Sequence, residues 1–119
     1  MRRELFVGLD VGLYPRQSFV AGEVVLPDGA MTDRLLIVLD GRLAGAGMRK
    51  TLGPGDVARP IEFFGASRYS GALCGRGAGQ VAIVPRPAVR ACFDAQGPLM
   101  WNLACAIAIE ALAAAKEPA

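Results

Sequence analysis

The chain has 119 residues, a length that supports one hydrophobic core but not two. Hydrophobic residues make up 53% and charged residues 20% of the sequence, which is typical of folded domains and excludes a disordered chain. The net charge of +2 is too small to bind nucleic acid or an anionic membrane by charge alone. We therefore expect a single domain over residues 1–119.

Histidine is absent, which removes the commonest general base, the commonest metal ligand and the Ser/His and Cys/His nucleophile pairs. The three cysteines, Cys74, Cys92 and Cys105, form no Cys-x-x-Cys pair, so we expect neither a disulfide framework nor a zinc site. We expect no metal, no cofactor and no catalytic activity. A cupin-like enzyme such as an isomerase remains an alternative, and it would have to use Glu62, Tyr69 or an arginine.

Neither end of the sequence has the composition of a targeting or membrane segment. Met1 to Leu9 contains two arginines and a glutamate and no long apolar stretch, so we expect no signal peptide. A short helical turn is predicted over residues 4–9. Residues 99–115 are apolar, but Asn102 and Glu110 interrupt them, and a membrane span needs about 20 strongly apolar residues. We expect a cytoplasmic protein that does not bind membranes.

Short apolar segments separated by turn signals fill the chain from Pro15 to about Val84. Pro27-Asp28-Gly29 and Asp40-Gly41 predict turns, because proline presets φ and glycine tolerates a positive φ. This alternation is typical of about eight short antiparallel strands. The predicted strands include residues 17–19, 23–26, 34–39, 42–45, 48–52, 69–74 and 80–84. Residues 59–67 are predicted to form a loop or a single helical turn.

The sequence period changes from strand-like to helix-like after Pro85. One helix is predicted over residues 87–95. A second is predicted over residues 98–116, where Gly97-Pro98 begins it because proline is favoured in a first helical turn. The predicted fold class is mainly β, an antiparallel eight-stranded β-roll or jelly roll over about residues 15–84 followed by two C-terminal α-helices.

The second predicted helix is apolar nearly all round, and such a helix is normally buried. One side can pack on the β-strands, and the other side still needs cover. We therefore expect a homodimer through this helix, with a monomer whose small alanines tolerate water as the alternative. The residues assigned to the dimer interface are Leu99, Trp101, Leu103 and Ile107.

Three segments at a characteristic spacing carry a family resemblance. Residues 19–25 read Phe-Val-Ala-Gly-Glu-Val-Val, Gly29 is followed by Asp-Arg-Leu-Leu-Ile-Val-Leu-Asp-Gly at 33–41, and Leu-Gly-Pro-Gly-Asp stands at 52–56. They resemble the strand and turn motifs of the cyclic-nucleotide-binding domain, the β-roll of catabolite-activator-type regulators, kinase regulatory subunits and gated channels. The resemblance covers about residues 15–110 and implies a β-roll with a ligand pocket after the Gly-Asp turn.

In that family the ligand is bound by a cassette of roughly Gly-Glu-x-Ala-Leu, a short loop and Arg-Ala/Ser-Ala. Backbone N–H groups and the arginine bind the phosphate, and the glutamate holds the ribose hydroxyl. Here residues 59–63 read Arg-Pro-Ile-Glu-Phe and residues 70–72 read Ser-Gly-Ala. Because the glycine, glutamate and arginine of the cassette are all replaced, we expect no cAMP or cGMP binding in the usual mode.

The candidate ligand site consists of Arg59, Glu62, Arg68, Ser70 and Gly71. Arg59 and Arg68 flank the loop and are candidates for binding an anion, with solvated surface arginines as the alternative. Glu62 is a candidate acceptor for a ribose hydroxyl, and a solvent-facing carboxylate is the alternative.

The resemblance implies a non-catalytic, stand-alone sensor or interaction domain that signals or assembles through its C-terminal helix. A protein partner is compatible with this prediction. One alternative is a genuine cyclic-nucleotide or small-anion binder that uses Arg68 in a rearranged loop, and another is a scaffold protein. No helix-turn-helix follows the last predicted helix, so we expect no direct DNA binding.

Overall fold

Six β-strands and three α-helices form in the part of the chain that the computed structural model describes, residues 10–46 and 48–116. The strands are β1 (Arg16–Phe19), β2 (Val24–Leu26), β3 (Arg34–Asp40), β4 (Leu43–Gly45), β5 (Leu73–Gly75) and β6 (Gly79–Pro85). The helices are α1 (Pro60–Gly65), α2 (Arg86–Gln96) and α3 (Met100–Lys116), and a 3-10 turn at Val11–Leu13 precedes β1. The helical turn predicted over residues 4–9 lies outside the described residues.

The strands form two antiparallel sheets of three strands each, in the orders β1-β6-β3 and β2-β5-β4. In the first sheet β6 is central, and its Ile83 lies opposite Leu36 of β3. In the second sheet β5 is central, with Cys74 opposite both Val24 and Ala44. Buried side chains from both sheets belong to one hydrophobic core. The predicted fold class, mainly β with antiparallel pairing, is confirmed.

Two predicted strands differ from the structure. The segment 48–52 makes only an isolated bridge, in which Leu43 and Leu52 exchange backbone hydrogen bonds of 2.8 and 2.9 Å. Arg49 and Lys50 bend away, so the bridge is not extended. In the segment 69–74 the backbone of Tyr69 bonds to Gly29 and Ala30, but the strand β5 itself starts only at Leu73. Eight strands are therefore not confirmed, because the described residues form six.

β3 is buried on both faces. Its central residues Leu35, Leu36, Ile37 and Val38 are each at most 3% exposed, which explains why this strand is a continuous apolar run without polar alternation. Both α1 and α2 contact β3. The helices therefore cover a strand that would otherwise expose apolar side chains.

The segment before α1 is fixed to one edge of β3. The N–H of Val38 donates to the carbonyl of Asp56 at 2.9 Å, and the N–H of Gly55 donates to the carbonyl of Val38 at 2.8 Å. The N–H of Ala58 then donates to the carbonyl of Leu36 at 2.9 Å. These bonds fix the backbone immediately before the candidate ligand site.

α1 packs closely on α3. A Cβ atom added to Gly65 would lie 2.9 Å from the backbone carbonyl carbon of Ala108 and 3.0 Å from its Cβ atom, so only glycine fits at this contact. Next to it lies a cluster of Phe63, Phe64, Phe93 and Trp101, whose ring centroids are 5.0 to 6.3 Å apart. Aromatic pairs at these distances stabilise the core beyond their buried area.

α2 and α3 lie within two residues of the helices predicted from the sequence, and both begin close to a proline. No single helix in the described ranges is both long and apolar enough to cross a membrane. The two helices reach the required length and composition only as a pair, and a bend of 115° separates them.

Candidate ligand site and C-terminal helix

Arg59 directly precedes α1 and has a left-handed backbone, with φ 44° and ψ 55°. It is the only non-glycine residue with a positive φ among the described residues. A residue with a Cβ atom loses roughly 1–2 kcal/mol in this conformation. Position 59 corresponds to the glycine of the family cassette, so the chain keeps the conformation suited to glycine but carries arginine.

The guanidinium group of Arg59 lies over two glycines. Its Nη2 atom would be 3.0 Å from a Cβ atom added to Gly45 and 3.4 Å from one added to Gly71. Its Nη1 atom lies 3.6 Å from Oε1 of Glu62, and the two side chains are only 22% and 15% exposed. Partial burial limits screening by solvent, so Glu62 neutralises Arg59 more effectively than an exposed partner would.

Glu62 also binds Ser70 through its second carboxylate oxygen. Oε2 accepts a hydrogen bond of 3.1 Å from the backbone N–H of Ser70, and it accepts a second from the Ser70 hydroxyl. Hydrogen bonds to an ionised acceptor are stronger than neutral ones. The donors of Ser70, the residue that replaces the cassette arginine, are therefore used within the chain.

Asp28 accepts a hydrogen bond from the residue that follows Ser70. Its Oδ1 atom accepts a hydrogen bond of 2.7 Å from the backbone N–H of Gly71. The sequence predicts Asp28 only in a turn, because it lies 43 positions from Gly71 and no local pattern links the two residues. Consecutive N–H groups at positions 70 and 71 thus each have a carboxylate acceptor. These two bonds also explain why β5 begins only at Leu73.

Arg68 does not join the other predicted site residues. Its Nη1 atom donates a hydrogen bond of 2.9 Å to the carbonyl of Gly29, and its backbone forms an isolated bridge with Met31. The side chain is exposed. The structure therefore brings together Arg59, Glu62, Ser70 and Gly71, and Arg68 is bound to a neighbouring turn.

A cavity of about 470 Å³ opens beside Arg59. It is lined by Met48, Lys50, Thr51, Leu52, Asp56, Val57, Arg59 and Pro60. The charge of Arg59 is matched by Glu62, and Lys50 and Asp56 carry opposite charges. The lining therefore carries little net charge with which to select an anion.

Tyr69 lies in the chain between Arg68 and the pair Ser70 and Gly71, but its side chain is buried in the core. Its side chain is 2% exposed, and its hydroxyl donates a hydrogen bond of 2.7 Å to the carbonyl of Arg34. Burial raises the pKa of the Tyr69 phenol well above its ordinary value, because the phenolate would lose its hydration. Tyr69 is therefore a neutral core residue that anchors the loop.

α3 leaves much of its apolar surface exposed. Leu103 is 53%, Ile107 56% and Ile109 55% exposed, and Leu99, which directly precedes α3, is 71% exposed. Trp101 differs from the other residues assigned to the interface, because it is only 7% exposed and lies in the aromatic cluster. The guanidinium of Arg86 lies 5.0 Å from its ring centroid and covers it further. Three of the four assigned residues are therefore available to a partner.

An apolar groove of about 170 Å³ lies where α1, α2 and α3 meet. Its lining includes Ile61, Phe93, Met100, Leu103 and Ile107. Ile61 belongs to α1, and the neighbouring Glu62 binds Ser70. One short helix thus contributes to both the candidate ligand site and the exposed apolar surface.

No family model matches the sequence, and a search of curated proteins found none that is similar. Solved structures do resemble the fold. The N-terminal domain of a transcriptional regulator from Streptomyces coelicolor A3(2) is 14% identical, with a TM-score of 0.63 over 91% of this chain and 84% of that chain. The similarity is therefore one of structure rather than of sequence.

Two cAMP-bound structures share the same fold. The EAL enzyme Bd1971 in its cAMP-bound form is 14% identical, with a TM-score of 0.66 over 84% of this chain. cAMP-bound PfPKA-R is 20% identical, with a TM-score of 0.60 over 75% of this chain. This chain spans only 29% and 32% of those two chains. The protein has the fold of the cyclic-nucleotide-binding domains, as its motif spacing predicted.

Proposed function

We propose that this protein is a non-catalytic interaction domain of the cyclic-nucleotide-binding fold, in which its own carboxylates occupy the donors of the ligand site. The observation that carries this proposal is the bond between Glu62 and Ser70, in which one carboxylate oxygen takes both donors of the residue that replaces the cassette arginine. The carboxylate of Asp28 accepts the backbone N–H of Gly71. An incoming phosphate would have to displace two carboxylates.

The free energy of binding favours this intramolecular arrangement over a bound cyclic nucleotide. A bound cyclic nucleotide would lack the charge-paired arginine of the family cassette, and each charge-assisted hydrogen bond contributes about 1.5–3 kcal/mol. Displacing Glu62 would also leave Arg59 without its partner in a largely buried position. A loss of several kcal/mol weakens binding by several orders of magnitude.

Thermal unfolding with and without millimolar cAMP, cGMP and cyclic dinucleotides tests the ligand part of the proposal. We expect no change in the unfolding midpoint with any of them. A ligand at 100 times its Kd would stabilise the domain by about 2.7 kcal/mol and shift the midpoint by several degrees. Such a shift with one nucleotide would contradict the proposal.

The alternative function is a nucleotide or small-anion binder that uses Arg68. It is supported by the exposure of this side chain, and it requires Arg68 to leave the carbonyl of Gly29. Arg76, another exposed arginine, supplies the matched control. A midpoint shift that Arg68→Ala abolishes and Arg76→Ala retains would establish this alternative.

The second part of the proposal is that the domain assembles as a homodimer through α3. Leu103 and Ile107 of α3 and Leu99 directly before it form an exposed apolar stripe, and a stripe of this kind usually marks an interaction surface. We expect Leu103→Asp to halve the mass measured by sedimentation, because it puts a carboxylate into the interface. Val20→Asp is the control, since Val20 is 61% exposed and lies away from α3. An unchanged mass for Leu103→Asp would remove the dimer from the proposal.

A further inference from the structure

Arg86, the first residue of α2, is held in place by contacts with three other parts of the chain. Its Nη1 atom donates hydrogen bonds of 3.0 and 2.6 Å to the carbonyls of Thr32 and Phe63. Its guanidinium also lies 4.7 Å from the ring centroid of Phe63 and 5.0 Å from that of Trp101. The side chain therefore has a fixed orientation before any ligand binds, which lowers the entropic cost of binding.

A second edge of the same guanidinium has no partner. No hydrogen bond joins Nε or Nη2 of Arg86 to an atom of the described residues, and neither atom is a buried unpaired group, so both reach solvent. Arg86 also forms no ion pair with a carboxylate in residues 10–46 and 48–116. The N–H groups of Nε and Nη2 point the same way, so this edge offers an oxyanion two parallel hydrogen bonds.

Arg86 lines a cavity of about 460 Å³ together with Pro87, Arg90 and Trp101. The guanidinium of Arg90 lies 5.7 Å from the ring centroid of Trp101, so both arginines lie against the same ring. Asp94 pairs with Arg90 at 3.8 Å, and because both side chains are more than half exposed, water screens this pair. No acidic residue lines the cavity, so its lining carries a net positive charge.

We propose that the cavity lined by Arg86 and Arg90 binds a small molecule through a phosphate monoester group. Two of the phosphate oxygens accept hydrogen bonds from Nε and Nη2 of Arg86, and a third faces Arg90. A phosphate monoester carries about −1.5 to −2 charges at pH 7 and three acceptor oxygens, so it matches two cations better than the single charge of a carboxylate or a phosphodiester does. The cavity volume lies within the range of small-molecule sites, about 300–1,000 Å³.

A nuclear magnetic resonance titration of the full chain with inorganic phosphate tests the site, with sodium chloride added to hold the ionic strength constant. The titration follows the Nε–H of Arg86 and the indole N–H of Trp101, the one tryptophan of the sequence. We expect both resonances to move saturably with phosphate at millimolar to tens of millimolar concentrations, and to move little with acetate. An Arg86 resonance that stays in place throughout the phosphate titration would overturn the proposal. An equal response to acetate would overturn the assignment to a phosphate group.

Substitutions locate the bound phosphate within the protein. Arg86→Lys keeps the charge but loses the two-bond edge, so we expect the phosphate Kd, measured from the Trp101 indole, to rise at least about tenfold. Arg90→Gln changes an exposed side chain that the fold does not depend on, and it should raise the Kd about two- to fivefold.

Arg76→Gln is the matched control for both variants, because Arg76 is an exposed arginine in the turn between β5 and β6. It should leave the phosphate Kd unchanged. A higher Kd in Arg90→Gln than in Arg76→Gln supports the site even if Arg86→Lys fails to fold. A phosphate Kd that is the same in Arg90→Gln and Arg76→Gln would place the bound ion elsewhere and overturn the proposal.

Discussion

The carboxylate of Glu62 holds Ser70 by both of that residue's hydrogen-bond donors, the backbone N–H and the hydroxyl. The same carboxylate lies 3.6 Å from the guanidinium of Arg59, at the start of α1. One side chain thus joins the beginning of α1 to the segment that leads into β5. Positions 59 and 70 align with the glycine and the arginine of the family cassette, and here both are bound to Glu62.

Removing the Glu62 carboxylate should destabilise the protein. We expect Glu62→Ala to lower the free energy of unfolding by about 1–2 kcal/mol, because two charge-assisted hydrogen bonds from Ser70 and the partly buried ion pair with Arg59 are lost. Chemical denaturation measures the change. Asp94→Ala is the control, since Asp94 pairs with Arg90 at 3.8 Å on the surface and should cost little. Equal losses in the two variants would contradict the structural role assigned to Glu62.

The left-handed backbone of Arg59 predicts a difference between two substitutions. Arg59→Gly and Arg59→Ala both remove the contact with Glu62, so comparing them isolates the backbone conformation. We expect the glycine variant to be more stable by about 1–2 kcal/mol, because glycine adopts φ 44° without a Cβ clash. If alanine proved as stable as glycine at position 59, the backbone conformation described above would be wrong.

The contact between α1 and α3 predicts that Gly65→Ala is destabilising, although alanine favours helices over glycine. The added Cβ atom would lie 2.9 Å from the Ala108 backbone. Overpacking of this kind costs about 1–3 kcal/mol, which exceeds the gain of about 1 kcal/mol in helix propensity. Thermal unfolding shows whether the variant is less stable than the wild type, as we expect, or more stable. A stabilised Gly65→Ala protein would mean that the helices are farther apart.

Tyr69 predicts a loss of stability in alkali. Because burial raises the pKa of its phenol in the folded protein, the unfolded chain releases the Tyr69 proton first, at a pH of about 10. The free energy of unfolding should therefore fall as the pH rises above about 10, by up to about 1.4 kcal/mol per pH unit. Below that pH this residue makes no contribution to the slope.

Tyr69→Phe supplies the control for the alkaline measurement. It removes the ionisable group and the hydrogen bond to Arg34, so stability at neutral pH should fall by about 1 kcal/mol. The slope contributed by Tyr69 above pH 10 should disappear. An identical alkaline slope in the wild type and the variant would refute the buried, neutral state of this phenol.

Much of the fold followed from local patterns in the sequence. The apolar run of β3 and the prolines near the starts of α2 and α3 gave their positions within one or two residues. The sequence predicts a loop or one helical turn over residues 59–67, and the structure places α1 there. These features depend on side-chain period and backbone preference, which act over a few residues.

The arrangement of the site depends on contacts that no local pattern contains. Asp28 binds Gly71 across 43 positions, and this bond keeps Gly71 out of the strand that the sequence predicts over residues 69–74. The sequence predicts Trp101 in the dimer interface of α3, and the rings of Phe63, Phe64 and Phe93 enclose it in the core instead. Composition cannot show which face of an apolar helix is buried, because every face is apolar.

The most direct test of the central claim is a nuclear magnetic resonance titration that follows the backbone amides of Ser70 and Gly71. Their N–H groups are the donors that Glu62 and Asp28 accept. We predict that both resonances stay in place when cAMP, cGMP or inorganic phosphate is added to millimolar concentration. Saturable movement of both amides with one of these anions would show that it replaces the carboxylates, and would contradict the claim that the protein fills its own ligand site.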